Sequence, residues 1–390
     1  MKKYKESLLS NRLLQSLRSV IKSKKVGLHE PYLGENEKRY LKKCIESGYV
    51  SYLGEYVLSL EKKITDYTGA KYAVTTNSGT SALHLACRLL EINNNCEVLM
   101  PALSFVAPAN AVSYMNGTPH FVDIENETFG IDPQKLRNYL SNTTYLTNLG
   151  CINKRTKKVI KAIIVIHAYG HPAQIQKIIR IANEFKIKVI EDAAESLGSF
   201  YNNKHTGLFG DIGVLSFNGN KVITTGGGGA LLTKNKKIYE NAKHLSTTAK
   251  IKHKWEYIHN EVGYNYRMPN INAAVGCSQF ERISKLLKYK RRLARKYEII
   301  FEDFDEVRFM KERKNSISNY WLNTIIIEKN FKSIRDDLLQ KLHKNGYQAR
   351  PLWEPLNKLK MFKACPKDNL AVTNDIVSRT INLPSGYNII

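Results

Sequence analysis

Between Lys71 and Thr233 the sequence alternates short apolar runs with segments of helical periodicity, and this alternation restricts the possible fold more than any other feature. KYAVTTNS feeds into SGTSALHLACRLL, EVLMPALSF into VAPANAVSYM, TPHFVDI into DPQKLRNYLSN, and KAIIVIHAYG into AQIQKIIRIANEF; IKVIEDAAE, DIGVLSF and GALLT close the series. Strands that are apolar along most of their length are buried on both faces, so the pattern predicts a mainly parallel sheet covered by helices on both sides. In such sheets ligands bind at the carboxyl ends of the strands. Asp192 and Ser216 fall at such ends. The stretch 141–158 reads as a polar insertion.

Ahead of this series, residues 5–22 carry Leu8, Leu9, Leu13, Leu14, Leu17 and Ile21 near one helical face. ENEKRYLKKCIES is helical up to Gly48, and a tyrosine-rich connection leads into a helix around LEKKITDYT. After Met268, Pro269 and Asn270 open a pattern that predicts one long helix from about Ile271 to Ile300. Beyond it NYWLNTIII reads as a strand and KSIRDDLLQKLHKNG as a helix, a smaller α+β unit. Single cores stop growing at roughly 250–300 residues, so 390 residues imply two domains. The expected division is a helical extension at 1–25, a large α/β domain at 26–269, and a linking helix with a small C-terminal α+β domain at 270–390.

A formal charge of +25 suits a partner made of phosphates. The clusters KRTKK, KNKK, KERK and KRRLARK are nevertheless dispersed through loops and solvated helix faces, with no basic groove interleaved with aromatics. This argues against nucleic acid and leaves a field suited to an anionic small molecule. No apolar run approaches the roughly 18 residues that span a bilayer, and the N-terminus is too charged for a signal peptide, so a cytoplasmic protein without membrane insertion is expected. The six cysteines form no CxxC pair, which points to reduced thiols and away from a metal site.

The chemistry concentrates between Glu191 and Thr233. Asp192 ends an apolar run where a carboxylate needs a partner, and Lys221 lies in a polar turn before four consecutive glycines. Those are parts of a pyridoxal 5'-phosphate site: Lys221 would form a Schiff base with the aldehyde, and Asp192 would hold the pyridine nitrogen protonated. Alternatively Asp192 caps a following helix. Glu195 would sit beside the ring hydroxyl or be a solvated helix residue, and Ser216 would offer a phosphate hydroxyl. Ser78, Gly79, Thr80 and Ser81 open a helix, which is either an ordinary cap or a phosphate site. Phe105 either stacks on a planar ring or is a core aromatic. His167 lines a site or sits satisfied at a strand end, and Arg350 and Trp353 contact substrate or brace the small domain. The glycines are room for close backbone approach, since no GxxxxGK[ST] is present.

Taken together, NSGTSALHLA, PALSFVAPANA, FVDIENETFGID, IHAYGHPA, VIEDAAESLGS, GDIGVLSFNGNK and GYNYRMPNINAA resemble the sugar aminotransferases of the DegT/DnrJ/EryC1/StrS family, from about Val26 to Ser385. The resemblance implies aminotransferase fold type I and a pyridoxal phosphate enzyme. By position, Lys221 would be the Schiff-base lysine, Asp192 the pyridine partner and Phe105 the stacking ring, with Glu195 at a place where the family has Gln or Glu. Thr80, Ser81 and Ser216 would bind the phosphate, joined by Asn265 from the other subunit of a homodimer. L-glutamate would be the amino donor and a nucleotide-linked keto sugar the acceptor. HEPYLGENEKRYL, LSTTAK, RPLW and INLPSG look most like enzymes acting on UDP-4-keto-6-deoxy-N-acetylhexosamines for surface glycans, with GDP-perosamine synthases a close second. Lys221 argues against the family's dehydratases, which carry histidine there. The chain departs from the pattern in stopping soon after LPSG, where relatives continue into a last helix.

Overall fold

The computed structural model describes residues 2–390. Seven of the nine strands of the central sheet follow the order Tyr72–Thr76, Gly229–Thr233, Ile212–Ser216, Lys188–Asp192, Val159–Ile166, Cys96–Pro101, Thr118–Val122. Gly229–Thr233 runs against both of its neighbours, and the other pairs are parallel. The expected α/β architecture, aminotransferase fold type I, is therefore present.

Successive side chains of a strand point to opposite faces, and here both faces are apolar. Ala73, Leu215, Ala230 and Leu232 join Leu60 and Ile64 of the helix Glu55–Thr68 in one layer. Val74, Val214, Leu231, Ile190 and Ile164 join Leu83, Leu85 and Val112 of the helices Gly79–Leu89 and Ala107–Tyr114 in the other. Burial on both faces explains why these strands read as continuous apolar runs.

Two expectations need correction. The supposed polar insertion contains a hairpin, Thr144–Thr147 against Gly150–Asn153, whose second strand pairs with the start of Val159–Ile166. Cys151 and Ile152 are buried while Tyr145 and Leu146 face out, so the apolar content of each strand was too small to stand out. The long helix is two helices, Asn270–Glu281 and Ile283–Phe301, separated at Arg282 with φ −115° and ψ 6°. That break lets each half follow a different body: Ala273, Cys277 and Phe280 pack with the large sheet's core, and Leu293, Tyr297 and Phe301 with the smaller sheet's.

The smaller antiparallel sheet has the order Val307–Phe309, Asn323–Ile327, Thr380–Leu383, Arg350–Pro351. The N-terminal helix Lys2–Val20 lays Leu9, Leu13, Leu14 and Leu17 into this core, whereas Leu8 is exposed. Among the described residues no helix is long and apolar enough to cross a membrane.

Candidate active site

A cavity of about 680 Å³ opens at the carboxyl ends of the central strands. Thr80 enters it from the first turn of the helix after the first strand in chain order and Phe105 from the loop after the second, and Asp192 and Ser216 are the last residues of their strands. Lys221 comes from the loop joining Ser216 to Gly229, while Trp321, Arg350 and Trp353 close the opposite side. Residues more than a hundred positions apart are thus gathered by the strand order alone.

The Lys221 ammonium lies 3.8 Å from the centroid of the Trp321 ring and its Nζ is 3.6 Å from Glu195 Oε1. Glu195 is buried, and its Oε2 accepts the Tyr169 N–H at 2.8 Å. Burial pushes its carboxyl up to about 7, against the opposing pull of Lys221. Asp192 is also buried, and its pKa is raised for the same reason while the Ala194 N–H and Lys221 pull it down. The Ala194 N–H, 3.0 Å from Oδ1, is the one donor its carboxylate has among the described residues. Turns at 194–195 and 197–198, with no helix, follow the strand, so Asp192 caps no helix and Glu195 is no solvated helix residue.

The helix Gly79–Leu89 begins beside Ser216. First-turn amides have no intrahelical partner, and the Ser78 hydroxyl takes only that of Ser81, at 3.0 Å. A Cβ on Gly229 would lie 2.6 Å from Gly79 N, and one on Gly79 would lie 3.0 Å from Ser216 Cβ. The glycines therefore allow three backbone segments to converge on a small corner lined by N–H groups and hydroxyls.

Two expected contacts stand elsewhere. The Ser81 hydroxyl donates to Asn77 Oδ1 at 2.6 Å and lies 2.8 Å from Ser78 Oγ, so the cap network holds it off the cavity. His167 is fully buried: its Nδ1 accepts the Ala173 N–H at 3.1 Å, which leaves Nε2 to donate to Glu191 Oε2 at 3.0 Å. With both nitrogens satisfied it braces the strand ends and does not line the cavity. Asn265, expected to reach the phosphate of another subunit, is exposed and outside its own chain's cavity, its carbonyl accepting from the Asn77 side-chain amide at 3.3 Å. Phe105, 55% exposed, is not a core aromatic, and its place on the cavity leaves one face free.

Residues 31–389 match the DegT/DnrJ/EryC1/StrS aminotransferase family. The chain belongs to that family. It is 35% identical to EpsN of Bacillus subtilis (strain 168) over 94% of this chain and 92% of that protein. It is 34% identical to a GDP-perosamine synthase of Escherichia coli O157:H7, with 93% of each chain covered. A UDP-4-amino-4,6-dideoxy-N-acetyl-beta-L-altrosamine transaminase of Campylobacter jejuni is 30% identical over 80% of this chain and 79% of its own. Among solved structures, the Helicobacter pylori aminotransferase PseC, involved in the biosynthesis of pseudoaminic acid, superposes with a TM-score of 0.83 at 26% identity, covering 92% of this chain and 93% of that one. This member of the family is a sugar aminotransferase whose cofactor is pyridoxal phosphate.

The residues fit that cofactor. A buried carboxylate with one protein donor awaits a cationic N–H, the glycine-lined corner suits a phosphate, and Phe105 leaves a ring face open. Sequence reasoning missed Trp321 and Tyr169, which stack at 17° with centroids 6.3 Å apart, with Tyr169 in turn stacked on Trp353 at 4.7 Å. For Trp321 the signal was the aromatic pair in NYWLN, beside the smaller sheet's strand.

Glu195 gives a test that needs no turnover. A carboxyl held up at about 7 in the folded apoenzyme, against 4.5 unperturbed, binds its proton more tightly folded than unfolded. Its contribution is complete below 4.5 and lost as pH rises toward 7. Parent apoenzyme is therefore expected to lose melting temperature relative to Glu195→Gln across that window, by a free energy on the order of 1–3 kcal/mol, and to run parallel to it above. Melting curves that stay parallel from pH 4.5 to 7 contradict the assignment.

Proposed function

We propose that this enzyme transfers the amino group of L-glutamate to the 4-keto carbon of a nucleotide-linked 4-keto-6-deoxy sugar. The observation that carries the reading is the meeting of Lys221, Glu195 and Asp192 in one cavity with Arg350 and Trp353 at its rim. Bound pyridoxal phosphate supplies an electron sink for negative charge developing at the carbon that gains or loses the amine.

In this reading Lys221 Nζ would hold the cofactor and, when free, would carry the proton between carbon atoms in both half-reactions. Asp192 would hold the ring nitrogen's proton, and Glu195, 3.6 Å from Lys221 Nζ, would sit beside the ring hydroxyl. Thr80, Ser216 and the first-turn amides hold the phosphate, while Phe105 covers the ring. A homodimer brings the partner's Asn265 to the same phosphate; the exposed Val50, Leu53, Tyr257 and Val262 offer apolar surface for such an association. The exposed Arg350 and half-buried Trp353 face the sugar nucleotide, the guanidinium suiting its diphosphate.

Two nucleotides have support. The sequence motifs favour a UDP-linked N-acetylhexosamine, and the relatives at 34% identity that are named GDP-perosamine synthase favour a GDP-linked sugar. A panel of UDP- and GDP-linked 4-keto-6-deoxy sugars with glutamate separates them. One nucleotide class is expected to exceed the other in kcat/KM by at least about tenfold. Amination of none of the panel sinks the reading.

A further inference from the structure

Lys221 is bracketed by two hydrogen bonds that its own domain does not supply. The carbonyl of Asn220, just before it, accepts the Trp321 indole N–H at 2.6 Å, and the carbonyl of Val222, just after it, accepts the Tyr387 hydroxyl at 2.6 Å. Both donors are buried and come from the part of the chain that builds the smaller sheet: Trp321 precedes the strand Asn323–Ile327 and Tyr387 follows Thr380–Leu383.

Each donor is itself held. The Trp321 carbonyl accepts from Lys290 Nζ at 2.8 Å, and its N–H donates to Asn319 Oδ1 at 2.7 Å. Tyr387 sets its ring edge-on to His29, with centroids 5.6 Å apart, and packs on Tyr289 at 5.7 Å. The loop's base is closed by the Thr225 N–H donating to Phe217 O at 2.9 Å, and beside the lysine itself the loop adds one turn, in which the Lys221 N–H donates to Asn218 O at 3.0 Å.

We propose that Trp321 and Tyr387 are positioning residues that fix the root of Lys221 from the smaller domain, so that the amine keeps its aim when it is released from the cofactor. A lysine side chain has four rotatable bonds, and the range of its tip is set by how firmly the backbone beneath it is held. The amine must serve both as attachment point and as free proton carrier, and the second role has no covalent tether to define it. Trp321 adds a second restraint by placing its ring face under the ammonium. This inference rests on the reading of Lys221 as the residue that binds the cofactor.

The test compares Trp321→Phe and Tyr387→Phe with Tyr289→Phe in the cofactor-loaded protein. Each of the first two removes a donor and keeps an aromatic ring. Tyr289→Phe removes the hydroxyl that accepts the Ile389 and Ile390 N–H groups at 2.9 and 3.0 Å, so it loosens the same tail without touching the lysine loop. Three quantities are read: the midpoint of the visible absorbance band in a pH titration, the rate of the half-reaction with glutamate in a single turnover, and the melting temperature. Loss of one hydrogen bond is expected to slow the half-reaction about 3- to 10-fold and to move the absorbance midpoint, with the apparent Kd for glutamate within about twofold of the parent. Tyr289→Phe is expected to lower the melting temperature alone. Parent-like midpoint and rate in the first two variants overturn the proposal, as does an equal shift in Tyr289→Phe. A parent protein whose cofactor cannot be trapped on Lys221 removes the underlying reading and this proposal with it, whereas a trapped parent with silent variants removes the proposal only.

Discussion

Replacing Lys221 with alanine is expected to abolish borohydride-trappable attachment of pyridoxal phosphate and to lower turnover by about 10³-fold. Lys221 is the one lysine among the described residues lining the cavity. Lys290 is the nearest rival in kind, a fully buried lysine whose pKa burial drives well below its usual value. Its Nζ, however, donates to the carbonyls of Trp321 and Ser385 behind the cavity wall. The variant therefore loses nucleophile and proton carrier together, with no neighbouring amine to take over. The fold should survive, because the substitution removes a cation–π contact worth about 0.5–2 kcal/mol and leaves the Trp321 and Tyr387 hydrogen bonds on the backbone. Mass spectrometry of the reduced, digested protein checks the attachment, and a stopped half-reaction checks the rate. Label found on Lys290, or turnover at the parent's rate, excludes the role given to Lys221.

The sequence made the strand ends legible because burial on both faces writes itself as apolar runs. Asp192 and Ser216, each ending such a run, could be placed on the cavity before any coordinates. Thr80 and Phe105 were legible for the same reason, each following a strand. What stayed hidden was decided by partners distant in sequence or by local competition for a hydroxyl. Trp321 and Tyr387 reach Asn220 and Val222 across 101 and 165 positions, and no periodicity reports such a bond. Ser81 looked like a phosphate ligand, yet Asn77, one residue before the cap, already holds its hydroxyl. His167 was ambiguous until the Ala173 N–H fixed which nitrogen is free to donate. The break at Arg282 lies in a continuous helical pattern with no proline or glycine beside it; its guanidinium sits over the Tyr32 ring at 5.3 Å, a contact the pattern could not foretell.

Asp192→Asn is expected to cost about 10²–10³-fold in turnover, the scale of losing one preorganised electrostatic partner, while the cofactor remains trappable on Lys221. Asparagine keeps the volume and can accept the Ala194 N–H as Oδ1 does now, so packing is not the variable. What changes is charge. In the apoenzyme burial raises the Asp192 pKa, which means the ionised form is held at a cost. A cationic ring N–H at the same place would reverse that: the carboxylate would be stabilised by the proton it faced, and by reciprocity would hold that proton on the ring. The neutral amide does neither, so charge developing on the substrate carbon loses its sink in both half-reactions. The same reasoning predicts opposite signs for stability and activity. Above pH 7 the apo form of Asp192→Asn should melt no lower than the parent, because an uncompensated buried charge has been removed, even as the loaded enzyme slows. A variant that melts clearly lower and turns over within about threefold of the parent assigns Asp192 to the scaffold, and the electrostatic role given to it falls.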